Sequence, residues 1–309
     1  MIINTGQRTD IPAFYSEWFA NRLKAGFVMV RNPYNPLSVT RYRLSPDVVD
    51  LIGFCTKNPA PMLARMELLA PYGQFWYVTI TPYGRDTEPN VPEVSAALDS
   101  FRRLSDIVGA HRVGWRYDPI FISDKYPAER HLEAFSAMAD ALCGYTSIAV
   151  ISFIDLYEKT KRNFPEIRSV PHEQRLALGK ALIDIARGRG MTVKPCAEGD
   201  ALAAYGADCS GCMTVADYER ALGCRLKVPN FTPARAACAC WLGGDIGAYN
   251  TCGHLCKYCY ANYDAATVRA NMRAHDPKSP LLIGHLTPED IVHEARQQSW
   301  RDGQLRMVF

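Results

Sequence analysis

The sequence predicts an α/β fold, a full or partial (β/α) barrel with a cysteine-rich segment towards its C-terminus. Two observations lead to this class. Short apolar runs alternate with amphipathic stretches along most of the chain, which is typical of parallel βα units. Polar and charged residues follow nearly every apolar run, as they do at the mouth of a (β/α) barrel, where active sites lie.

The apolar runs fall into seven parallel strands and one hairpin. Residues 27–31 and 38–43 form the predicted hairpin, with the proline-containing turn 32–36 between them. The seven parallel strands are predicted at residues 1–4, 50–55, 75–82, 112–117, 147–154, 191–196 and 244–249.

Amphipathic stretches between these strands predict helices. The first begins with Asp10 as its cap and Pro12 in its first turn, and Gly26 ends it. Its apolar side chains recur at helical spacing and share one face. Three longer helices are predicted at residues 92–108, 127–143 and 172–188.

Composition places the chain among ordinary globular proteins. Of its 309 residues, 48% are hydrophobic and 22% are charged. The formal net charge of +3 is too small to indicate nucleic-acid binding by itself. No apolar run reaches the roughly 18 residues of a membrane span, and the N-terminus lacks the sections of a signal peptide. We therefore expect a cytoplasmic protein with no membrane partner.

The chain contains eleven cysteines, and nine of them fall between Cys196 and Cys259. In a reducing compartment this number favours metal binding over disulfides. The change in composition also suggests a division of the chain. We predict a barrel body over residues 1–196, and a segment over 197–309 that contains the cysteines, the last barrel strand and a cluster loop.

Cys252, Cys256 and Cys259 are the most informative residues, because their C-x3-C-x2-C spacing lets one loop grip one metal centre. Structural zinc usually takes four ligands in two separated pairs, so a compact triad favours an iron–sulfur cluster. Three ligands leave one iron of a [4Fe-4S] cluster open. In radical enzymes that iron binds S-adenosylmethionine, and an aromatic residue at the position of Tyr258 stacks on its adenine.

The predicted strand ends supply candidate catalytic residues. Lys57 follows the strand at 50–55, and Arg116 and Asp118 follow the strand at 112–117. The carboxyl ends of parallel strands meet at one mouth, so these side chains are predicted to line it. Taken one at a time, such residues are also common as helix caps and in turns.

Several motifs resemble the bacterial family named domain of unknown function 1848. They are Arg8-Thr-Asp-Ile-Pro-Ala-Phe-Tyr15, Thr56-Lys-Asn-Pro59, Trp115-Arg-Tyr-Asp-Pro-Ile120, Ile151-Ser-Phe-Ile-Asp-Leu-Tyr157 and the cysteine segment from Cys238 to Asn262. The resemblance covers nearly the whole chain. It implies radical S-adenosylmethionine chemistry, because the family is described as similar to those enzymes in its cysteine cluster. It implies no substrate.

The position of the triad implies a permuted barrel. In most radical enzymes the cluster loop follows the first strand, whereas here only 50 residues follow Cys259. Strand 244–249 would then be the last strand and would pair with strand 1–4. This pairing would bring Arg8, Thr9 and Asp10 beside the cluster. We expect them to bind the amino and carboxylate groups of S-adenosylmethionine. His254, inside the loop, is expected to donate a hydrogen bond to sulfur.

A second centre is predicted from four more cysteines. Cys196, Cys212, Cys238 and Cys240 match the family pattern, and four thiolates can hold a second [4Fe-4S] cluster or a zinc ion. We rank the cluster first, zinc second and free thiols third. Cys209-Ser-Gly-Cys212 is also compatible with a redox dithiol.

The function that follows from these predictions is a radical S-adenosylmethionine enzyme. It would cleave its cofactor reductively to a 5′-deoxyadenosyl radical, act on a small or unknown substrate and take electrons from a flavodoxin or ferredoxin. The first alternative is a non-enzymatic zinc or iron–sulfur module with a structural or sensory role. A further alternative keeps the chemistry but has nucleic acid as the substrate, and the weak net charge counts against it.

Overall fold

The computed structural model describes residues 1–230, 238 and 240–305, and its centre is a parallel sheet flanked by helices. The chain begins in the sheet with β1 (Ile2–Asn4) and last enters it with β10 (Gly244–Asp245). The other strands are β2 (Phe27–Arg31), β3 (Ser38–Arg43), β4 (Leu51–Thr56), β5 (Gly73–Thr79), β6 (Val113–Ile120), β7 (Ile148–Phe153), β8 (Thr192–Pro195), β9 (Cys224–Leu226), β11 (Ile291–Glu294) and β12 (Arg301–Leu305).

The helices lie between these strands in the predicted order. Three long helices agree with the predicted spans to within two residues at each end, and they are α4 (Val94–Val108), α5 (Ala128–Leu142) and α7 (His172–Arg187). The shorter ones are α1 (Ile11–Phe14), α2 (Ser16–Ala25), α3 (Ala60–Leu63), α6 (Glu158–Asn163), α8 (Val215–Leu222) and α9 (Ala265–Arg273), with 3₁₀ turns at Met66–Leu69, Ala110–Arg112 and Ala203–Tyr205.

The main sheet has seven strands in the order β10-β1-β4-β5-β6-β7-β8, and all neighbouring strands in it are parallel. The pairing of β1 with β10 aligns Ile3 with Gly244 and Asn4 with Asp245. The predicted pairing of the last strand with the first is therefore confirmed. The seven predicted parallel strands are all found, although the last is only two residues long rather than six.

A closed barrel is not formed by the described residues, because no pairing joins β8 to β10 there. The α/β class and the parallel sheet are confirmed, but the closure is not. The physical reason lies at the edge of the sheet: β10 has two paired residues and β8 has four, so each edge offers few ladder groups to a partner.

The two faces of the sheet pack against different layers. One face, with Ile52, Trp76 and Trp115, packs against the amphipathic helices in the largest hydrophobic core. The other face, with Phe75, Tyr77 and Val150, packs against α8, Cys212 and Trp241. This alternation follows from the two-residue period of a strand. The cysteine-bearing segment therefore covers the face of the sheet that turns away from the long helices.

The hairpin of β2 and β3 is confirmed, and it pairs in antiparallel register from Phe27↔Arg43 to Arg31↔Val39. β11 adds to β3 as a parallel third strand, and β12 pairs with β9. The tail of the chain thus adds strands to two small sheets. None of the helices in the described residues combines the length and apolar character needed to cross a membrane.

The predicted first helix is two helices. Asp10 caps α1 as expected, through a 3.0 Å bond from the Ala13 amide, and Gly26 ends α2 in the left-handed conformation. Between them Tyr15 leaves helical geometry at φ −130°, and its hydroxyl donates to the Thr251 carbonyl at 2.6 Å. A tertiary contact thus accompanies the break in an otherwise continuous helical pattern.

Candidate functional site

A large cavity opens at the carboxyl ends of the parallel strands and has a volume of about 1150 Å3. Residues that follow β1, β4, β6, β7 and β8 line it, together with the loop after β10. Every residue that the sequence predicted for the site lies on its wall. These residues are Arg8, Thr9, Asp10, Lys57, Arg116, Asp118, Cys196, Cys212, Cys238, Cys240, Cys252, Cys256, Tyr258 and Cys259.

The cysteine triad is held in one loop with its sulfurs near backbone donors. The backbone of His254 hydrogen-bonds to the Cys252 sulfur, and those of Ala261 and Asn262 hydrogen-bond to the Cys259 sulfur. All three cysteines are free thiols. Burial raises the pKa of each thiol above its usual value. The loop thus presents three thiols from consecutive turns of one segment to the same cavity.

Asp10 fixes this loop to the start of the chain. Its Oδ2 lies 2.9 Å from His254 Nε2 and accepts a 2.7 Å bond from the Lys57 amide. The other imidazole nitrogen, Nδ1, lies 3.2 Å from the Asn90 carbonyl. The predicted proximity of residues 8–10 to the cysteine loop is therefore confirmed. His254 does donate a hydrogen bond to sulfur, but through its backbone N–H to Cys252, since both of its ring nitrogens have oxygen partners.

Arg8 and Thr9 differ in what they offer to a ligand. Arg8 donates through Nε to Asp245 Oδ2 at 2.5 Å and through Nη2 to the Asp245 carbonyl at 2.6 Å. Thr9 Oγ1 is buried and has no hydrogen-bond partner in the described structure. A buried hydroxyl without a partner on a cavity wall is a group that a ligand can satisfy. The role of both residues in cofactor binding stays a prediction.

Lys57 and Tyr258 meet at a buried carboxylate. Glu88 Oε1 accepts from Lys57 Nζ at 2.9 Å, from Thr81 Oγ1 at 2.7 Å and from the Tyr258 hydroxyl. Burial alone would lower the pKa of Lys57, but the Glu88 carboxylate and the nearby Cys256 leave it raised. Lys57 is therefore a cation beside the triad. The hydroxyl bond also anchors the end of the Tyr258 side chain at the cavity wall.

Arg116 and Asp118 form an ion pair on the floor of the cavity. Arg116 Nε lies 3.0 Å from Asp118 Oδ2, and its Nη1 lies 3.5 Å from Cys212 Sγ. Ser152 donates to the other carboxylate oxygen of Asp118. Burial would raise the pKa of Asp118, but the Arg116 guanidinium outweighs it and lowers the pKa. Charged groups thus extend from the triad to the second set of cysteines.

The second set of cysteines also converges. Cys212 Sγ lies 3.5 Å from Cys196 Sγ and 3.1 Å from Cys240 Sγ, and Cys238 is buried on the same cavity wall. A buried ion pair joins two of the segments that supply these cysteines. Lys194 Nζ in β8, just before Cys196, lies 2.8 Å from Asp217 Oδ2 in α8, just after Cys212. We call Cys196, Cys212, Cys238 and Cys240 the second thiol group.

The sequence profile of the family described as domain of unknown function (DUF1848) matches residues 2–261. The chain belongs to this family. The match includes β1, the whole parallel sheet and the cysteine loop as far as Ala261. No curated protein matches the chain significantly. Family membership therefore covers every residue on the cavity wall but assigns no activity to it.

The described residues of this DUF1848 protein do not form a site for a single metal ion. Among them, no group of three or more His, Cys, Asp or Glu side chains is placed to hold one ion. A [4Fe-4S] cluster is larger than an ion, so its thiolate ligands stand farther apart than the ligands of one zinc. The donor chemistry of the triad fits such a cluster, because it offers three cysteine sulfurs and nearby N–H donors.

Sequence reasoning missed several residues that position the site. Glu88 follows β5 and lies far along the chain from both Lys57 and Tyr258. Lys194 and Asp217 hold the segment around Cys212 against the sheet, and the Lys194 ammonium also donates to the Gly211 carbonyl at 3.3 Å. The only sequence signal for Lys194 was a cation inside an apolar strand, where an unpaired charge is costly and a partner is required.

Proposed function

We propose that this protein is a radical S-adenosylmethionine enzyme whose Cys252, Cys256 and Cys259 bind a [4Fe-4S] cluster. The observation that supports this most is the shared cavity: three cysteines of one loop face the charged strand ends of a parallel sheet. When bound, such a cluster supplies one electron that cleaves S-adenosylmethionine to methionine and a 5′-deoxyadenosyl radical. The residues of the chain bind, orient and shield the reactants.

The hydrogen bonds around the triad support the proposal. Backbone N–H groups that point at cysteine sulfurs stabilise the thiolate form and help set the reduction potential of a cluster. His254 and Ala261 provide such groups from within the loop. The loop itself is tied to the sheet by Asp10 and Asn90, so the sulfurs keep their positions in the cavity.

The proposed roles of the charged residues follow from their contacts. Lys57 would place a cation next to an anionic group of the cofactor, and Thr9 would satisfy its hydroxyl on a polar group of the same molecule. Tyr258, with its hydroxyl held by Glu88, would offer a ring face to adenine. Arg116 and Asp118, which lie farther along the floor, would orient the substrate.

We further propose that the second thiol group holds a second metal centre. Its sulfurs lie 3.1 and 3.5 Å apart, closer than the ligands of a [4Fe-4S] cluster, so we rank zinc before the cluster that the sequence favoured. Four cysteines from separated segments line one side of the same cavity, and Arg116 donates to one of their sulfurs. A cation that donates to sulfur stabilises thiolate over thiol, which is the form that binds metal. Such a centre would lie on the substrate side of the cavity, and a cluster there, unlike zinc, would relay electrons from a flavodoxin or ferredoxin.

Anaerobic reconstitution with iron and sulfide tests the proposal. A brown protein that releases 5′-deoxyadenosine from S-adenosylmethionine after dithionite reduction would support it. A colourless protein that binds zinc and cleaves nothing would support the non-enzymatic alternative instead. Cys143→Ala provides a matched control, because Cys143 is an exposed thiol on the far end of α5 and does not line the cavity.

A further inference from the structure

The rim of the cavity carries exposed tyrosines. Tyr34, Tyr157, Tyr249 and Tyr260 all line the cavity, and the exposed fractions of Tyr34, Tyr157 and Tyr260 are 89%, 38% and 47%. A cluster of large, exposed aromatic side chains often marks a binding surface, because aromatic side chains left in contact with water do not contribute their burial to the stability of the fold. The tyrosines come from the β2–β3 turn, the start of α6 and the cysteine loop.

Cations lie among these rings. Lys159 Nζ is 5.0 Å from the ring centre of Tyr249 and 5.6 Å from that of Tyr263, and Arg162 Cζ is 5.1 Å from Tyr263. Arg8 Cζ lies 5.8 Å from Tyr249 on the same side of the cavity. Rings and cations therefore alternate beside the cavity. We call the lining residues Tyr157, Lys159, Tyr249 and Tyr260 the tyrosine rim, and Tyr263 lies next to it.

The helix that supplies part of this rim is basic. α6 contains three cations, Lys159, Lys161 and Arg162, and one anion, Glu158, which gives a local net charge of +2. Glu158 is already paired with Lys161 at 2.7 Å. Asp155 lies on the same wall, and its carboxylate reduces this local positive charge. A local excess of positive charge remains next to the tyrosines, although the whole chain carries only +3.

We propose that the tyrosine rim binds a nucleotide, a planar base with an attached phosphate, and that this is the substrate class of the cavity. Exposed aromatic rings interleaved with Lys and Arg are the combination that binds single-stranded nucleic acid, with bases stacked on rings and phosphates near cations. Tyr157 and Tyr260 have ring centres 5.9 Å apart, so a base would stack on an outer face rather than between them. This inference rests on the proposed function, because it names the substrate of the same site.

The size of the cavity agrees with two bound molecules. Pockets for one small ligand are commonly about 300–1,000 Å3, and this cavity reaches about 1150 Å3. A cofactor beside the triad would leave the rim and the Arg116 end of the floor free for a second molecule. A nucleotide could come from a strand or be free in solution, and the two sources share the chemistry that the rim recognises.

Fluorescence anisotropy with a labelled single-stranded 12-nucleotide probe tests the proposal at low salt. Uridine monophosphate and S-adenosylmethionine serve as unlabelled competitors. The variant Tyr157→Ala/Tyr260→Ala removes two rings, and Tyr157→Phe/Tyr260→Phe keeps them. Tyr205→Ala is the matched control, because Tyr205 is also an exposed tyrosine near a lysine, with Lys180 Nζ at 5.7 Å from its ring, and it does not line the cavity.

We expect the probe to bind, and the double Ala variant to weaken binding at least tenfold, since each stacked base contributes about 1–3 kcal/mol. The double Phe variant should stay within about threefold, because both rings are kept. If uridine monophosphate displaces the probe at a concentration equal to the total nucleotide concentration of the probe, the ligand of the rim is a free nucleotide. If a higher concentration is needed, the ligand is a nucleic-acid strand. Absence of probe binding, an equal loss of binding in Tyr205→Ala, or complete displacement of the probe by S-adenosylmethionine would each overturn the proposal. Binding needs no cluster reduction, so the release of 5′-deoxyadenosine tests the proposed function separately.

Discussion

The triad and the second thiol group line the same cavity but are assembled in different ways. The triad comes from eight consecutive residues, Cys252 to Cys259, and its sulfurs accept hydrogen bonds from the backbone of its own loop. The second thiol group is drawn from segments up to 44 residues apart, Cys196 to Cys240, and its sulfurs contact each other and Arg116.

This difference shows where each group obtains its geometry. The triad is organised locally, and Asp10 and Asn90 only anchor the loop as a whole. The second thiol group depends on tertiary contacts, above all the buried Lys194–Asp217 pair and the Tyr77 hydroxyl, which donates to the Cys212 carbonyl. Gly114 makes room for the Tyr77 ring, since a Cβ there would lie 2.3 Å from it. Distant substitutions should therefore disturb the second group and spare the first.

The largest effect is expected from removing the triad itself. Cys252→Ala/Cys256→Ala/Cys259→Ala should abolish release of 5′-deoxyadenosine, because no ligand of the proposed cluster remains. The second thiol group is intact in this variant, so iron or zinc should still bind. Metal analysis after reconstitution measures both. Finding neither iron nor zinc above background would disprove the second centre, and unchanged cleavage of S-adenosylmethionine would disprove the first.

A large effect on the second group alone is expected from Lys194→Met. It leaves Asp217, which is 1% exposed, with Arg220 at 2.5 Å as its remaining cation. Because Arg220 still compensates the carboxylate, the loss of unfolding free energy should stay below the roughly 3–5 kcal/mol of a buried pair broken outright. Chemical denaturation measures that loss, and metal analysis should show the second centre depleted.

The double variant Lys194→Met/Asp217→Leu is the matched control, because replacing both charges by apolar groups is often close to neutral. It should restore only part of the stability, because Asp217→Leu also removes the capping box of α8, and it does not restore the 3.3 Å bond to Gly211. If metal binding by the second group were unchanged in both variants, its dependence on long-range contacts would be disproved.

An intermediate effect is expected from Asp10→Ala, which removes a helix cap and the partner of His254 together. Loss of the cap should cost about 1 kcal/mol, and the unpaired imidazole about 1–3 kcal/mol more. S-adenosylmethionine affinity should fall as the cysteine loop loosens. Asp10→Asn keeps the cap and one hydrogen bond, so it should lie between the two in thermal unfolding. Equal affinity in all three proteins, measured by calorimetry, would exclude a role for Asp10 in the site.

The smallest effect is expected from Tyr258→Phe. It removes the hydroxyl bonded to Glu88 but keeps the ring, so cofactor affinity should fall only about threefold to tenfold, as for the loss of one hydrogen bond worth about 0.5–1.5 kcal/mol. Tyr258→Leu removes the ring as well and should weaken binding further. Binding of S-adenosylmethionine by equilibrium dialysis compares them. Identical affinities for Phe and Leu would show that the ring does not stack on adenine.

Local features of the sequence predicted the local parts of this fold. Apolar runs located the seven parallel strands, and Asp10 and Gly26 marked the ends of the first helical stretch. The spacing of Cys252, Cys256 and Cys259 and the polar strand ends located the cavity wall. Each of these depends on neighbouring residues, so a sequence pattern contains the necessary information.

Contacts between distant residues could not be read in the same way. The permuted order of the strands predicted that Asp10 lies beside the cysteine loop, but the specific Asp10–His254 contact, across 244 positions, is not indicated by a pattern in either segment. The break at Tyr15 and the two-residue length of β10 also depend on tertiary packing, which overrides periodicity. Glu88 was missed for the same reason, because its three donors, which follow β4, follow β5 and lie in the cysteine loop, come together only in the folded protein.

The most direct test of the central claim is the yield of 5′-deoxyadenosine from anaerobically reconstituted protein incubated with dithionite and S-adenosylmethionine. The wild type and Cys143→Ala should both release it, whereas Cys256→Ala should release none above the rate without protein, because the cluster loses one of its three thiolate ligands. Equal release by the wild type and Cys256→Ala, or no release by the wild type with its iron fully loaded, would contradict the account.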